Sequence, residues 1–253
     1  MSRIIAIANQ KGGVGKTTTT VNLGTALAMR GNKVCLIDLD PQANMSAYLG
    51  YTEELSVITI NDMMLNVVRG ESVTSGIIHN EENGVDYVPS NINLSSADFY
   101  LSQALARESV LKRVLSSVIF SEYDYILIDC LPSLGVLLMN ALTASGDVII
   151  PVQTQKFALN GLQGLTDVIN QIKNTVNPEL RIMGILPTML DNTVMSRETL
   201  NALTNDYQSV FNTKISKSIE AAYSSQKCRS LCKDKSSKLG EEYMLLAEEV
   251  EKV

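Results

Sequence analysis

Short runs of apolar residues alternate along the chain with longer stretches in which apolar side chains recur every three or four positions. The runs at 4–8, 33–37, 123–129 and 147–152 are rich in apolar and β-branched residues. Runs of this length and composition are typical of strands buried on both faces of a parallel sheet. Apolar residues at intervals of three or four predict helices. We predict further strands at 85–89 and 180–186, a crossover at 153–157, and helices at 19–30, 60–68, 95–102, 108–118, 135–144, 158–176 and about 193–210.

The regular alternation of strands and helices favours one α/β domain. We expect a mostly parallel, twisted sheet with helices on both faces. The chain shows no internal repeat, low-complexity linker or shift in composition. We therefore expect residues 1–253 to form a single domain, without a separate N-terminal DNA-binding domain.

A glycine-rich stretch joins the first predicted strand to the first helix. Residues 11–18 read K-G-G-V-G-K-T-T, and a strand-to-helix turn is the context in which such a sequence binds phosphate. Glycines let the backbone wrap closely around an anion, and the helix N-terminus adds the positive end of its dipole. Lys16 is suited to neutralise β- and γ-phosphate charge, and the Thr17 hydroxyl is suited to bind Mg²⁺.

Carboxylates follow two of the predicted strands. Asp38 and Asp40 occupy alternate positions at the end of the second strand, so their side chains are expected to point the same way. Asp129 ends the strand at 123–129, as in the Walker B arrangement, where an aspartate reaches Mg²⁺ through water. Beside a phosphate loop, these groups suit magnesium ligation and the positioning of an attacking water.

The overall composition is that of a globular protein with reduced thiols. Of the 253 residues, 45% are hydrophobic, and there are four cysteines. No charged-then-apolar leader opens the chain, and no apolar run reaches the length needed to span a membrane. We expect a cytoplasmic protein with no membrane partner.

Charge is unevenly distributed. The net charge is −6, yet residues 214–238 contain seven basic and two acidic residues. A basic patch on an acidic protein can bind a phosphate backbone locally, although a solvated face has the same composition.

Three motifs in the same order are similar to those of a known family. The loop at 11–18 resembles the deviant phosphate loop K-G-G-x-G-K-[ST]-T of the ParA/MinD group of ATPases. Residues 38–44 are similar to the family's D-x-D-P-Q-x-N, and residues 129–135 to its D-x-P-P-S-L-G, with Leu131 in place of one proline. Residues 237–250 are similar to its closing helix. The chain therefore resembles the ParA/Soj-type partition ATPases over nearly its whole length.

This resemblance implies a mechanism. ATP with Mg²⁺ would bring two subunits together as a homodimer, and Lys11 of each would touch the other's phosphates. Asp40 would act in hydrolysis, and Asp38 would lie near the metal. The dimer would bind DNA non-specifically, in association with the nucleoid. A ParB-type centromere-binding partner would then stimulate the slow hydrolysis of ATP, and the dimer would release the DNA.

The resemblance also implies a set of site residues. The catalytic residues are Lys11, Lys16 and Asp40, and the metal site comprises Thr17, Asp38 and Asp129. Nucleotide is expected to contact Lys11, Gly12, Gly13, Val14, Gly15, Lys16, Thr17, Thr18, Ile215 and Lys217. Charge and position make DNA-contact candidates of Arg197, Lys214, Lys217, Lys227, Arg229 and Lys233.

The last region departs from the family pattern. The I-P-R-N element that walls the adenine is replaced by Ile215-Ser216-Lys217-Ser218, without the proline. The family's following arginine is also absent, which leaves the DNA-contact surface open.

Three alternative functions share the deviant phosphate loop. A MinD-like ATPase that cycles on membranes needs a basic amphipathic C-terminal helix, whereas residues 241–253 are rich in glutamate. A redox ATPase of the nitrogenase iron-protein type needs paired cysteines at a dimer axis, which the positions of Cys35, Cys130, Cys228 and Cys232 do not favour. A nucleotide-gated dimerisation switch without turnover is the third alternative.

Overall fold

The computed structural model describes residues 2–155, 160–207 and 209–253. The predicted crossover at 153–157 and helix start at 158 lie partly outside these residues. The strands are β1 (Arg3–Ile7), β2 (Val34–Leu39), β3 (Ile78–Asn80), β4 (Val85–Val88), β5 (Tyr125–Cys130), β6 (Asp147–Gln153) and β7 (Arg181–Thr188). The helices are α1 (Lys16–Met29), α2 (Asn44–Tyr48), α3 (Ile60–Arg69), α4 (Ala97–Ser102), α5 (Val110–Leu115), α6 (Val136–Ala144), α7 (Asn160–Thr175), α8 (Val194–Asp206), α9 (Glu220–Gln226) and α10 (Lys238–Lys252).

The strands form one sheet in the order β3-β4-β2-β5-β1-β6-β7. Every pairing is parallel except that of β3 with β4. The expectation of a mostly parallel α/β sheet is confirmed. The carboxyl ends of β1, β2 and β5 therefore meet at one edge, which is where parallel sheets place their ligand sites.

Two apolar cores cover the two faces of the sheet. Because side chains alternate along a strand, Ile5 and Ile7 point to one face while Ala6 points to the other. The first face packs against α1, α2 and α10. The second packs against α3 to α7. This explains why the strands are apolar throughout rather than alternating.

Most elements lie within a few residues of their predicted bounds, with three additions: the short helices α2 and α9 and the edge strand β3. The edge strand β3 was not predicted, because Ile78–Asn80 is only three residues long and its side chains are half-buried or exposed. A short polar strand of this kind lacks the apolar periodicity that identifies the others.

Candidate active site

The glycine-rich loop lies between β1 and the first turn of α1. Gly13 and Gly15 have φ angles of 70° and 91°, a region that side-chain-bearing residues rarely adopt. No atom lies within 4 Å of where a Cβ would stand on Gly12, Gly13 or Gly15, so the concave side of the loop is open. Val14 is buried, and its carbonyl accepts a 2.8 Å hydrogen bond from Thr188 Oγ1 of β7. The hydrogen bond from Thr188 thus fixes the loop on its buried side, while its concave side is open, as an anion-binding turn requires.

The two loop lysines have different environments. Lys16 is buried, and its Nζ donates to the Lys11 carbonyl at 3.0 Å. Desolvation lowers the pKa of Lys16, and nearby Asp129 partly opposes this effect. Lys11 is exposed, and its Nζ donates to Gln153 Oε1 at 3.3 Å. Lys16 is therefore held within the loop, whereas the Lys11 side chain lies in solvent.

Asp129 lies directly behind the start of α1. Its Oδ2 accepts a 2.7 Å hydrogen bond from Thr17 Oγ1, and its Oδ1 accepts one of 3.3 Å from Thr20 Oγ1. Burial, followed by repulsion from Asp38, raises the pKa of Asp129 to about 8. The Asp129 carboxylate thus lies at the first turn of α1, where the surrounding groups supply too little positive charge to keep its pKa at the usual value.

Asp38 is paired with Asp129 in the register of β2 and β5. Its Oδ2 accepts from the Ser46 amide at 2.8 Å and from Ser46 Oγ at 2.6 Å, and its Oδ1 accepts from the Asp40 amide at 3.2 Å. Burial raises the pKa of Asp38 to about 6, against the effect of these bonds. Oδ2 is thus bonded to α2 and Oδ1 to the turn after β2, and a direct role of Asp38 at a metal stays a prediction.

The donor set fits a divalent cation. Two buried carboxylates on adjacent strands with raised pKa values need nearby positive charge, and the desolvation that lowers the pKa of Lys16 limits the charge that this lysine supplies. Carboxylate and hydroxyl oxygens are the ligands that Mg²⁺ prefers. Thr17 would hold the ion directly and Asp129 would bind its water ligands.

Asp40 lines the open cleft in front of the loop. It is half-buried, and its Oδ1 accepts from the Gln42 amide at 2.9 Å. The cleft has a volume of about 480 Å³, which is the size of a small-molecule site. Its lining residues are Gly12, Gly13, Gly15, Lys16, Thr17, Thr18, Asp40, Gln42, Asn44, Tyr48, Pro132, Met189 and Ser225.

Ile215 and Lys217, expected at the adenine, are not among the residues that line the cleft. Ile215 is 4% exposed and packs in the core on the α1 face. Its amide donates to the Pro187 carbonyl at 2.9 Å, and the Lys217 amide donates to the Leu190 carbonyl at 2.9 Å. These bonds position the backbone beside Met189, which does line the cleft. Their contact with the base stays a prediction.

Sequence patterns did not identify Ser46, Tyr48 and Ser225 as site residues. Ser46 fixes Asp38, while Tyr48 and Ser225 line the cleft. The one available signal was the position of α2 immediately after the D-x-D-P-Q-x-N motif. Ser225 carried no signal, because its place depends on long-range packing of α9 against α2.

The DNA-contact candidates fall into two groups. Lys214 and Lys217 are exposed beside β7, next to the loop that leads to Arg197 on α8. Lys227, Arg229 and Lys233 lie near the turn between β3 and β4, where Arg229 Nε forms a 2.7 Å ion pair with Glu82. Because β7 and β3 are opposite edges of the sheet, the basic residues do not form one compact patch.

Comparison with known proteins identifies the family. Residues 2–182 match a family described as AAA domain. The chain is 44% identical over 198 residues to the sporulation initiation inhibitor protein Soj of Bacillus subtilis, covering 76% of this chain and 74% of Soj. It is also 44% identical over 191 residues to the chromosome partitioning protein ParA of Caulobacter vibrioides, covering 75% of this chain and 70% of ParA. This chain belongs to the ParA/Soj family of partition ATPases.

Solved structures of similar proteins carry nucleotide. A putative plasmid partition protein from Borrelia burgdorferi, bound to AMPPNP, has a TM-score of 0.82 at 27% identity, with complete coverage of both chains. Cobyrinic acid a,c-diamide synthase from Mycobacterium smegmatis, with bound ADP and magnesium, has a TM-score of 0.85 at 33% identity, covering 98% of this chain and 93% of that one. The ParA/Soj fold therefore extends over the whole described chain.

Within the described ranges of this ParA/Soj protein, no helix is both long and apolar enough to cross a membrane. The same residues contain no cluster of three or more His, Cys, Asp or Glu side chains arranged to hold a metal ion by themselves. A magnesium ion at Thr17 and Asp129 would therefore depend on water and substrate phosphates for its remaining ligands, which is the usual mode of Mg²⁺ binding.

Proposed function

We propose that this protein binds and slowly hydrolyses ATP with Mg²⁺, and that ATP binding produces a homodimer that holds DNA non-specifically during partition. The observation that carries the proposal is the hydrogen bond from Thr17 to Asp129, beside an open glycine loop and the buried Lys16. The glycine loop, Lys16 and the Thr17–Asp129 pair are the three groups that phosphoryl transfer needs next to the phosphates.

Each residue has a distinct role in the proposed reaction. Lys16 and the loop amides bind the β- and γ-phosphates, and Thr17 with Asp129 orients the metal site. Bound Mg²⁺ would neutralise charge on the phosphate oxygens. Asp40 lines the same cleft as the loop, and we assign to it the orientation of the attacking water. Catalysis of this kind depends on positioning and charge neutralisation more than on covalent chemistry.

Dimerisation is assigned to Lys11. Its side chain is exposed beside the glycine loop, and among the described residues its Nζ donates to Gln153 Oε1 in an exposed contact. A lysine in this position can leave that contact at little cost and pair with the phosphates bound by a second copy of the chain. ATP would then bridge the two subunits, and ADP would not.

DNA would be bound by the basic residues on the dimer. The candidates, of which all but Lys233 are exposed, are Arg197, Lys214, Lys217, Lys227, Arg229 and Lys233. Dimerisation doubles the number of cations presented at once, and this favours a long polyanion. A ParB-type partner that accelerates hydrolysis would release the DNA, and the protein would be located in the cytoplasm on the nucleoid.

The test measures two quantities: the molar mass of the protein in solution and the rate of phosphate release. Light scattering should give a dimer with MgATP for Asp40→Ala and a monomer with MgADP, while the wild type releases phosphate slowly. A protein that stays monomeric with MgATP in Asp40→Ala would contradict the proposal. Co-sedimentation with anionic liposomes in MgATP would instead favour a membrane-cycling ATPase.

A further inference from the structure

Asn22 of α1 is bonded to two residues of the nucleotide cleft. It is fully buried and lies one helical turn after Thr18. Its Nδ2 donates to the Thr18 carbonyl at 2.7 Å and to Tyr48 Oη at 3.3 Å. Thr18 and Tyr48 both line the cleft. The amide end of this side chain is therefore in contact with the walls of the substrate site.

The other end of Asn22 holds a segment from the C-terminal part of the chain. Its Oδ1 accepts from Ser230 Oγ at 2.8 Å and from the Leu231 amide at 2.8 Å. A reversed side-chain amide would place its own N–H groups against the Leu231 N–H, so the orientation is fixed by its partners. One buried side chain thus joins the cleft to residues 228–231, called here the clamped segment.

A second asparagine holds the same segment from the opposite side. Asn83, in the turn between β3 and β4, is fully buried. Its Oδ1 accepts from the Ser230 amide at 2.7 Å, and its Nδ2 donates to the Cys228 carbonyl at 3.2 Å. Asn22 and Asn83 therefore accept from consecutive backbone amides, but Asn83 is anchored at the sheet edge and Asn22 at the cleft.

The clamped segment determines where three cations are presented. Arg229 lies within it, and Lys227 and Lys233 flank it on either side. The backbone carbonyl of Lys233 also accepts from Arg229 Nη2 at 3.3 Å. A small displacement of the segment would consequently move all three cations together.

We propose that Asn22 is a positioning residue that transmits occupancy of the nucleotide cleft to the clamped segment. Phosphates on the loop would fix the first turn of α1, including Thr18, and thereby fix Asn22. Because a buried amide left without its acceptor is costly, the Leu231 amide and the Ser230 hydroxyl would follow. The consequence for DNA rests on the function proposed above, whereas the link between cleft and segment does not.

Cys228 provides a reporter inside the clamped segment. It is partly exposed, while Cys35, Cys130 and Cys232 are at most 7% exposed. Its Sγ donates a weak 3.6 Å contact to the Ala47 carbonyl of α2. The rate of Cys228 alkylation by a small maleimide therefore measures how tightly the segment is held, without any need for DNA.

The experiment compares alkylation rates with saturating MgATP, MgADP and no nucleotide. In the wild type we expect MgATP to slow Cys228 alkylation about fivefold relative to the nucleotide-free protein, which is a typical coupling between sites. Asn83→Ala, the matched control, should raise the rate in every state and keep the ratio. Asn22→Ala should bring the ratio close to one. If dimerisation simply shielded Cys228, Asn22→Ala would retain the full protection by MgATP, and the proposal would be overturned.

A milder variant covers the case in which Asn22→Ala does not fold. Ser230→Ala removes one of the two hydrogen bonds to Asn22 Oδ1, together with the 3.3 Å bond that Ser230 Oγ accepts from the Cys232 amide, and leaves the Leu231 amide bond in place. It should reduce the MgATP protection of Cys228 measurably, and an unchanged ratio would overturn the proposal. Wild-type protein that shows MgATP protection of Cys228 but never binds DNA would contradict the proposed function and leave the Asn22 link standing.

Discussion

The Thr17 hydroxyl donates a 2.7 Å hydrogen bond to Asp129. Thr17 comes from the first turn of α1 and Asp129 from the end of β5, so this bond joins the helix that receives phosphate to the strand that would order the metal's water ligands. Both Asp129 and the neighbouring Asp38 are almost completely buried. The two buried carboxylates therefore lack nearby positive charge, which a bound Mg²⁺ ion would supply.

Asp129→Asn should lower the ATPase activity of the protein without lowering its thermal stability. Removing one of two buried carboxylates relieves their repulsion, so the nucleotide-free variant should melt at or above the wild-type temperature. ATP turnover should fall by about 100-fold or more, because the metal site loses its charge. Thermal melts with and without MgATP, together with phosphate release, measure both effects. A lower melting temperature for the nucleotide-free variant would contradict this account of the site's electrostatics.

Asp40→Ala should abolish turnover and leave binding. Asp40 is half-buried at the cleft and its Oδ1 accepts only from the Gln42 amide, so its loss leaves the phosphate loop unchanged. We expect turnover to fall by about 100-fold, the usual effect of losing a group that orients or activates the nucleophile. Fluorescent-nucleotide titration should give an affinity similar to that of the wild type. Unchanged turnover would remove Asp40 from the mechanism.

Lys11→Ala and Lys16→Ala should have different effects. Lys16 is buried and bonded to the Lys11 carbonyl inside its own subunit, so its removal should eliminate nucleotide binding. Lys11 is exposed, so its removal should leave MgATP bound to a monomer. Light scattering and nucleotide titration on both variants distinguish these outcomes. Dimerisation of Lys11→Ala with ATP would contradict the role assigned to Lys11.

The two groups of basic residues can be compared by the salt dependence of DNA binding. Each lysine that contacts a phosphate contributes about 0.9 to the slope of log affinity against log salt concentration. The pairs Lys214→Ala/Lys217→Ala and Lys227→Ala/Lys233→Ala remove the same charge from opposite regions of the molecule. The pair that contacts DNA should lower the slope by about 1.8. Slopes unchanged in both double variants would place the DNA surface elsewhere.

Gly240→Ala should destabilise the fold even though alanine favours helices. A Cβ at this position would stand 2.4 Å from the Leu231 carbonyl oxygen. The backbone around Leu231 must then move, at a typical overpacking cost of about 1–3 kcal/mol. Gly146→Ala is a control, since no atom lies within 4 Å of that position. Denaturant unfolding of both variants measures the difference, and equal stabilities would contradict the close packing of α10.

Much of the fold could be predicted because local pattern and tertiary environment agree. The strands that end in Asp38 and Asp129 are buried on both faces, so their apolar runs identify them without reference to the rest of the chain. The glycine loop needs a backbone that few other sequences allow, so its sequence alone indicated phosphate. The order of the strands in the sheet required long-range contacts that the sequence pattern does not contain.

The polar network around Asn22 could not be predicted. Asn22, Asn83 and Ser230 are far apart in the sequence and carry no periodic signal, yet all three are buried, and both asparagines accept hydrogen bonds from Ser230. Polar residues of this kind are ordinarily interpreted as surface positions. Similarly, the basic residues between 214 and 238 looked like one patch because they are neighbours in sequence, whereas the chain carries them from β7 to the β3–β4 turn.

The most direct test of the central claim is binding to a long non-specific DNA duplex with ATP, ADP or no nucleotide, over a salt series. We predict that the wild type binds only with MgATP, that affinity falls steeply as salt rises, and that Lys11→Ala does not bind. Binding that is equal in all nucleotide states, or absent in all of them, would contradict the claim that ATP gates a DNA-binding dimer.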